Sequence, residues 1–174
     1  MWDLFATVRN RHSVRKYQAD MPVEQEKLHA ILETACAAPS AGDLQAYHIY
    51  AVTSVAQRAE ITAAAQGQSF INEAPLCLVF CSDPQRSASE FSARGEALYA
   101  LQDTTIAAAY AQLAAVAAGL GSAWIGQFDE QPLIDALKIK EGLKPVAILT
   151  IGYPAELPEL SSRRQMKEVV TLCE

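Results

Sequence analysis

The sequence contains none of the common motifs for a catalytic or metal site. There is no H-E-x-x-H, G-x-S-x-G or P-loop pattern, and the four cysteines lack the Cys-x-x-Cys spacing of zinc sites. The glycines of "GLGSAWIG" do not lie between a strand and a helix, which argues against a Rossmann dinucleotide site. Only three histidines are present, and His29 and His48 fall in a helical repeat and a strand pattern, where structural or surface roles are expected. If the protein is an enzyme, we therefore expect a bound cofactor to carry the reaction.

A basic excess and a membrane-spanning run are also missing. The formal net charge is −6, whereas nucleic-acid binders neutralise phosphates with a broad basic surface. The longest apolar stretch, "IAAAYAQLAAVAAGLGSAWIG", is mostly alanine and is interrupted by glycines, which is typical of a close-packed helix. The first ten residues do not have a signal-peptide pattern, and Cys77 and Cys81 lie in an apolar run where buried thiols are expected. We expect a cytoplasmic protein that binds neither nucleic acid nor a membrane.

Length and composition predict one globular domain over residues 1–174. Of the 174 residues, 51% are apolar and 20% are charged. Apolar spacing predicts helices in "DLFATVRNR", around Leu28–Ala35, in "VAQRAEITAAA", over residues 96–118 and after Asp129, with strands in "YHIYAV", "PLCLVFC", "SAWIGQ" and "PVAILTIGYP". Ser54 and Gln57 predict a capping box, and Gly119 with Gly121 predicts the end of the long helix. The sum is a mixed α/β domain of four or five strands.

The long alanine-rich helix favours an assembly of subunits. No charged residue lies between Thr104 and Trp124, so we expect the helix to be fully buried. Small side chains allow other elements to approach it closely. Full burial in so short a chain is easier with a partner subunit.

The N-terminal stretch "RNRHSVRKYQ" is basic in an otherwise acidic protein. In an extended segment Arg11, Ser13 and Arg15 point to one side. Two guanidiniums and a hydroxyl match a terminal phosphate, which accepts charge-assisted hydrogen bonds; the alternative is a solvated basic turn. A second cluster, Arg163-Arg164, lies near the other end of the chain, and one anion held between the two clusters would explain both.

Six motifs occur in an order that resembles the nitroreductase family of flavin-dependent oxidoreductases. They are "RHSVRKY", "APSAGDLQ", "FINEAP", "GLGSAWIGQFDE", "IGYP" and a terminal Arg-Arg followed by "VV". The likeness covers residues 4 to 170 and is to the short members of the family. It implies an α+β sandwich with a central mixed β-sheet flanked by helices. It also implies a homodimer with two FMN sites at the interface and a C-terminal strand exchanged between subunits.

The resemblance implies which residues bind FMN. Arg11, Ser13 and Arg15 would contact the phosphate, the ribityl chain and the pyrimidine edge, with His12 contributing mainly its backbone. The other expected FMN contacts come from the rest of the chain and are Pro39, Ser40, Ala41, Asp43 and Gln45 of the neighbouring subunit, Gln68 (or Gln66), Ala123, Trp124, Ile125, Gly126, Arg163 and Arg164.

The resemblance also implies the reaction. Reduced NAD(P)H would pass a hydride to flavin N5, and a small acceptor such as a nitroaromatic or a quinone would then take two electrons in a ping-pong cycle. Arg15 and the backbone of Ile125 would give electrostatic support. Trp124 and Phe128 would either shape the acceptor pocket or pack in the core.

Two positions depart from the family pattern. Asp43 stands where the family usually has asparagine, and an ionised carboxylate cannot donate to a flavin carbonyl. It would either bond to a backbone N–H or an arginine, or lower the flavin potential. Ser161 stands where many relatives have lysine, which would weaken phosphate binding. Three function classes follow: the FMN oxidoreductase, a specialised flavin enzyme on the same scaffold, and a non-catalytic flavin-binding module.

Overall fold

The computed structural model describes residues 3–156, 158 and 161–173. Its helices are α1 (Leu4–Asn10), α2 (Gln25–Cys36), α3 (Val55–Ala64), α4 (Phe70–Glu73), α5 (Pro84–Arg94), α6 (Ala100–Ala117) and α7 (Glu130–Leu137). Its strands are β1 (Tyr47–Val52), β2 (Leu76–Ser82), β3 (Gly121–Ile125) and β4 (Lys144–Gly152). Short 3₁₀ turns cover Ala41–Asp43 and Met166–Glu168, and a π-helical turn, Gly95–Tyr99, joins α5 to α6. None of the described helices is long and apolar enough to span a membrane.

The four strands form one sheet in the order β1-β2-β4-β3. Every neighbouring pair is antiparallel, and among the described residues the sheet becomes mixed through an isolated parallel bridge between Ser13 and Ser122. β2 is buried along its whole length, as expected for a strand between two neighbours with helices on both faces. The count of four lies within the predicted four or five.

Two hydrophobic clusters lie on the two faces of the sheet. Alternate residues of β2 point to each side, with Cys77 and Val79 in one cluster and Leu78 and Phe80 in the other. The first cluster contains residues of α3, α4 and α7, and the second contains residues of α2 and α6. This is the sandwich of helices around a sheet that the motif resemblance implied. Cys77 and Cys81 are fully buried, which confirms the prediction of buried thiols, and this burial raises the pKa of both to about 12.

The prediction of one helix over residues 96–118 was wrong in its first part. A polar helix, α5, precedes the π-helical turn, and α6 begins only at Ala100. α5 starts with Pro84 at its first position, and the Asp83 side chain accepts a hydrogen bond from the Arg86 N–H at 3.0 Å. At the other end, the chain turns at Gly119, whereas Gly121 is already the first residue of β3.

The expected full burial of α6 does not occur within one chain. One face of the helix packs on the sheet and α2 through Ala107, Ala108, Ala111 and Ala115, all at 0% exposure. The opposite face is open: Leu101 is 45% exposed and Tyr110 is 39% exposed. A single sheet-and-helix layer covers only one side of this helix.

The structure corrects the predicted Ser54–Gln57 capping box, and it shows how the helix after Asp129 begins. The Ser54 side chain accepts from the Gln57 N–H at 3.5 Å. The second bond of a capping box, from the Ser54 N–H to the Gln57 side chain, is absent among the described residues. Asp129 occupies the N-cap position of α7 without a capping hydrogen bond from its side chain. His29 and His48 are exposed, and His29 lies 3.1 Å from Glu33, which confirms their surface role.

Candidate functional site

The basic N-terminal segment lies flat across the edge of the sheet. The Val14 N–H donates to the Ser122 carbonyl at 2.9 Å, and the Tyr17 hydroxyl lies 2.8 Å from Thr150 Oγ1. Val14 and Tyr17 are buried at 4% and 5% exposure, so they anchor the residues between and around them. Burial raises the pKa of the Tyr17 phenol above its usual range.

The side chains of Arg11, Ser13 and Arg15 have no acceptor among the described residues. Arg11 and Ser13 are half-buried and Arg15 is exposed, and no hydrogen bond or ion pair links these three side chains to another described residue. The Arg15 guanidinium lies over the Phe70 ring, 5.9 Å from its centroid. Two guanidiniums and a hydroxyl without partners fit an anion such as the FMN phosphate.

One acid lies at the edge of this cluster. The Glu156 carboxylate accepts from the Arg15 backbone N–H at 3.1 Å and lies 4.0 Å from the Lys16 ammonium. It leaves the guanidinium of Arg15 unpaired, so a bound anion would meet two arginines but also one neighbouring carboxylate. Sequence reasoning missed Glu156, because the contact joins residues 141 positions apart.

At the end of β3 a ligand could reach the backbone more readily than the side chains. Ala123 and Ile125 are buried in the cluster with α3 and α7, and Gly126 is exposed. Trp124 is half-buried against the α2–α6 cluster, and Phe128 packs against the other cluster. Both aromatic residues therefore contribute to core packing.

Gln68 lies directly beside this exposed backbone. Its Nε2 donates to the Ala65 carbonyl at 3.0 Å and to the Gln127 carbonyl at 3.4 Å. Gln66 lies in the left-handed region (φ 59°) and accepts at Oε1 from Gln127 Nε2 at 2.9 Å. Gln68 is half-buried and Gln66 exposed, which favours Gln68 as the residue that faces a ligand at the end of β3.

A second group of expected site residues forms the loop between α2 and β1. Gly42, Asp43 and Gln45 all have positive φ values, of 58°, 55° and 48°, which are unfavourable outside glycine. The loop is held from inside by the Ser40 hydroxyl, which accepts from the Gln45 N–H at 3.0 Å. Pro39, Ser40 and Ala41 line a cleft of about 620 Å³ together with residues of α6.

The loop is also held by helices α5 and α6. The Asp103 carboxylate accepts from the Ala41 N–H at 2.9 Å and from the Ala46 N–H at 3.3 Å. Arg86 Nε donates to the Leu44 carbonyl at 2.5 Å. The sequence did not predict a role for Asp103, because its hydrogen-bond partners lie 62 and 57 positions away.

Asp43 has no bond that would neutralise its charge. Its side chain is exposed and makes no hydrogen bond or ion pair with the residues that the structure describes. The alternative in which Asp43 bonds to a backbone N–H or an arginine is therefore absent from the described part of this chain.

The basic N-terminal segment and the loop between α2 and β1 lie at diagonally opposite corners of the sheet. The loop enters β1 at Tyr47, in the row Tyr47–Ser82–Lys144, whereas Ser13 lies beside Ser122 in the row of Leu76 and Ile151. Three strand spacings and six residues along a strand separate these corners, which amounts to about 25 Å. The structure thus does not bring the two groups together around one small ligand within one chain.

Arg163 and Arg164 lie in an exposed tail. The Arg163 guanidinium donates to the Ser161 hydroxyl at 2.5 Å and to the Ser162 carbonyl at 2.9 Å. Arg164 donates to the Glu168 carbonyl at 2.7 Å. These contacts are local to the tail, and the expected meeting of this pair with Arg11 stays a prediction. Residues 161–173 contain no strand, and any exchanged strand before them lies partly outside the described residues.

Comparison with known proteins identifies the family. A sequence model described as "Nitroreductase family" matches residues 8–70 and 63–153. A Bacillus subtilis FMN reductase that uses NAD(P)H is 30% identical over 169 residues, covering 90% of this chain and 68% of that protein. A Thermus thermophilus NADH dehydrogenase is 31% identical over 187 residues, covering 92% of this chain and 91% of that protein.

A solved structure has the same fold. The NADPH:FMN oxidoreductase from Vibrio harveyi, complexed with NAD⁺, is 28% identical and superimposes with a TM-score of 0.88 over 98% of this chain and 76% of that one. The protein described above belongs to the nitroreductase family.

Proposed function

We propose that the protein is an FMN-dependent oxidoreductase that passes two electrons from NAD(P)H to a small oxidised acceptor, such as a nitroaromatic or a quinone. The observation that carries the proposal is the set of three donors, Arg11, Ser13 and Arg15, without acceptors along the edge of the sheet. The names of the Bacillus subtilis FMN reductase and the Vibrio harveyi NADPH:FMN oxidoreductase support the same cofactor and the same reductant.

The proposed cofactor site has a phosphate end and a ring end. Arg11 and Ser13 would hold the phosphate and ribityl groups through charge-assisted bonds, with Arg163 and Arg164 closing on the phosphate from the tail. The exposed backbone after Ile125 would pass beside the flavin ring, with Gln68 at its pyrimidine or ribityl side. Bound FMN would supply reversible two-electron chemistry at N5.

The protein's own contribution to the reaction is positioning and electrostatics. The Arg15 guanidinium, exposed and unpaired in the described chain, would place positive charge at the pyrimidine edge, where it favours a reduced, anionic ring. The cleft beside Pro39–Ala41 is apolar and open, which suits a planar acceptor or the nicotinamide ring.

We further propose that residues 1–174 form one FMN-binding domain and that two copies build each site. The basic N-terminal segment and the loop between α2 and β1 are about 25 Å apart in one chain. A single FMN molecule therefore cannot contact both of them in the same copy. Exposed apolar side chains are available for a partner: Leu4, Phe5 and Val8 of α1 are 66%, 72% and 52% exposed, and Leu101 and Tyr110 of α6 face outward as well.

Four free cysteines support a reducing compartment, and we propose the cytoplasm. Cys36 and Cys173 are exposed and unbridged, which is typical of proteins that function where thiols stay reduced.

A second candidate function is a flavin-binding module that does not turn over. The unpaired Asp43 carboxylate favours it, because negative charge near the ring opposes reduction. Anaerobic addition of NADH or NADPH distinguishes the two. The oxidoreductase should be purified yellow, or become yellow with added FMN, and should lose its flavin absorbance when reductant is added. Yellow protein that keeps its colour supports the module, and protein that cannot be loaded with FMN contradicts both.

The acceptor can be identified from the reduced protein. Stopped-flow mixing of the anaerobically reduced protein with a panel of quinones and nitroaromatics should give reoxidation rates that depend on the oxidant. If none of these compounds reoxidises the flavin faster than dissolved oxygen does, the proposed acceptor class is wrong.

A further inference from the structure

Asp103 is an unusual residue for the place it occupies. It is 2% exposed, and it is the one buried acidic side chain among the residues that the structure describes. No lysine, arginine or histidine of that same part of the chain forms an ion pair with it. Burying a carboxylate is unfavourable unless hydrogen bonds replace its lost hydration. The contacts that replace it are the N–H groups of Ala41 and Ala46.

These two N–H groups lie at the two ends of one short loop. Ala41 opens the 3₁₀ turn and Ala46 is the residue before β1. Between them lie Gly42, Asp43 and Gln45, which are three of the residues with positive φ. One carboxylate on α6 therefore joins both ends of a segment whose own backbone conformation is unfavourable.

We propose that Asp103 is a positioning residue for the flavin: it holds the Ser40–Ala46 loop in the shape that lines the cofactor. The proposal rests on the proposed function, in which two copies build each site and the loop of one copy lies beside the FMN held by the other. Asp103 itself does not touch the ring in this proposal, because both of its oxygens are already used by the loop. It acts by fixing where the loop backbone lies.

Asp103→Asn tests the proposal with a minimal change in size. The amide keeps one carbonyl oxygen but presents an NH₂ group to the second backbone N–H, so one loop end loses its acceptor. We expect the Kd for FMN to rise about tenfold or more, the loss expected for one charge-assisted bond. At saturating FMN, the visible circular dichroism of the bound flavin should also change, since its surroundings would have moved.

Thr104→Val is the matched control. Thr104 is the next residue of α6, has 0% exposure and donates its hydroxyl to the Ala100 carbonyl at 2.6 Å, within the helix. The Thr104→Val change should lower the thermal stability of the apoprotein without changing the Kd for FMN or the circular dichroism of the bound flavin. Equal FMN binding by Asp103→Asn and parent, or the same loss in Thr104→Val, would overturn the proposal.

Hydrogen exchange on the unaltered chain gives a second, independent test that needs no folded variant. The Ala41 and Ala46 amides should exchange at least about a hundredfold more slowly than exposed loop amides, because both are bonded to a buried acceptor. Exchange at exposed-loop rates would overturn the proposal even if Asp103→Asn does not fold. Failure of the parent protein to bind FMN would instead contradict the proposed function, and the exchange data would still show whether the two ends of the loop are held.

Discussion

Gly121 on β3 lies directly opposite Gly152 on β4, and the missing side chains of this pair make room for the N-terminal segment. A Cβ on Gly121 would be 2.7 Å from Val14 Cγ2, and a Cβ on Gly152 would be 2.9 Å from Tyr17 Cδ1. Neither distance is compatible with ordinary packing. The position of the proposed phosphate-binding side chains therefore depends on two residues that have no side chain.

Gly121→Ala should push the segment around Val14 away from the sheet. We expect a loss of about 1–3 kcal/mol in the free energy of unfolding from overpacking, together with weaker FMN binding. Urea unfolding and FMN titration measure the two effects. Ser122→Ala is the control on the same strand, because the buried Ser122 Oγ has no hydrogen-bond partner among the described atoms. Unchanged FMN affinity in Gly121→Ala would mean that the segment does not carry the phosphate site.

Arg11→Ala should release FMN, because it removes a guanidinium that has no partner within the described chain. A charge-assisted bond of roughly 1.5–3 kcal/mol corresponds to about a 10- to 150-fold rise in Kd. Fluorescence quenching of free FMN gives the affinity. Arg9→Ala removes the same charge from the exposed last turn of α1 and should leave the affinity unchanged. Equal FMN content in the Arg11 variant and the parent removes Arg11 from the site.

Asp43→Asn should raise the midpoint potential of the bound flavin. The carboxylate is exposed and unpaired in the described structure, so removing its charge relieves repulsion of the reduced ring. A change of ~1 kcal/mol corresponds to about 20 mV for a two-electron couple. Asp20→Asn, on the turn before α2, is the charge-matched control. A potential that does not move would show that Asp43 faces away from the ring.

Stability should fall at high pH because of the buried thiols. Burial raises the pKa of Cys77 and Cys81 to about 12, above the value of about 8.5 in an unfolded chain. The folded state then holds protons that the unfolded state releases, so this contribution is complete below pH ~8.5 and is lost as the pH rises toward 12. Denaturant unfolding between pH 8 and 11 measures the decline.

Cys77→Ala should make that decline shallower, while Cys36→Ala, at an exposed site, should leave its slope unchanged. The raised pKa of Tyr17 acts in the same direction, so a residual slope is expected. If the free energy of unfolding falls equally steeply with pH in the parent, Cys77→Ala and Cys36→Ala, the buried Cys77 thiol is not a cause of the decline.

Local patterns predicted the elements that local forces determine. The strand predicted over residues 47–52 is β1 with the same bounds, because alternation and β-branched or aromatic residues favour it independently of its neighbours. α5 was missed because its sequence, "PQRSASEFSAR", is mostly polar, with Phe91 as its one large apolar side chain. Its start is marked by the Asp83 cap and Pro84 instead.

Long-range contacts account for what could not be predicted. Asp103 lies in the alanine-rich helix, yet its role comes from a loop about sixty positions earlier in the chain. The exposed face of α6 is similar: the sequence indicated an uncharged helix, but only the packed structure shows which side remains uncovered. The expected FMN contacts were inferred from motif order, and the structure adds where each group lies on the sheet.

The diagonal placement of the two corners has a genetic consequence. Suppose that in each site one copy binds the FMN phosphate and the other copy supplies the loop. A chain lacking Arg11 and a chain lacking Asp103 would then complement each other when they are produced together. In such a mixed pair both lesions fall in one pocket, and the other pocket is built entirely from intact parts. Co-produced variants that pair at random would then recover about a quarter of the normal flavin content, and about half if every pair is mixed, whereas either variant alone, or a chain carrying both changes, would not.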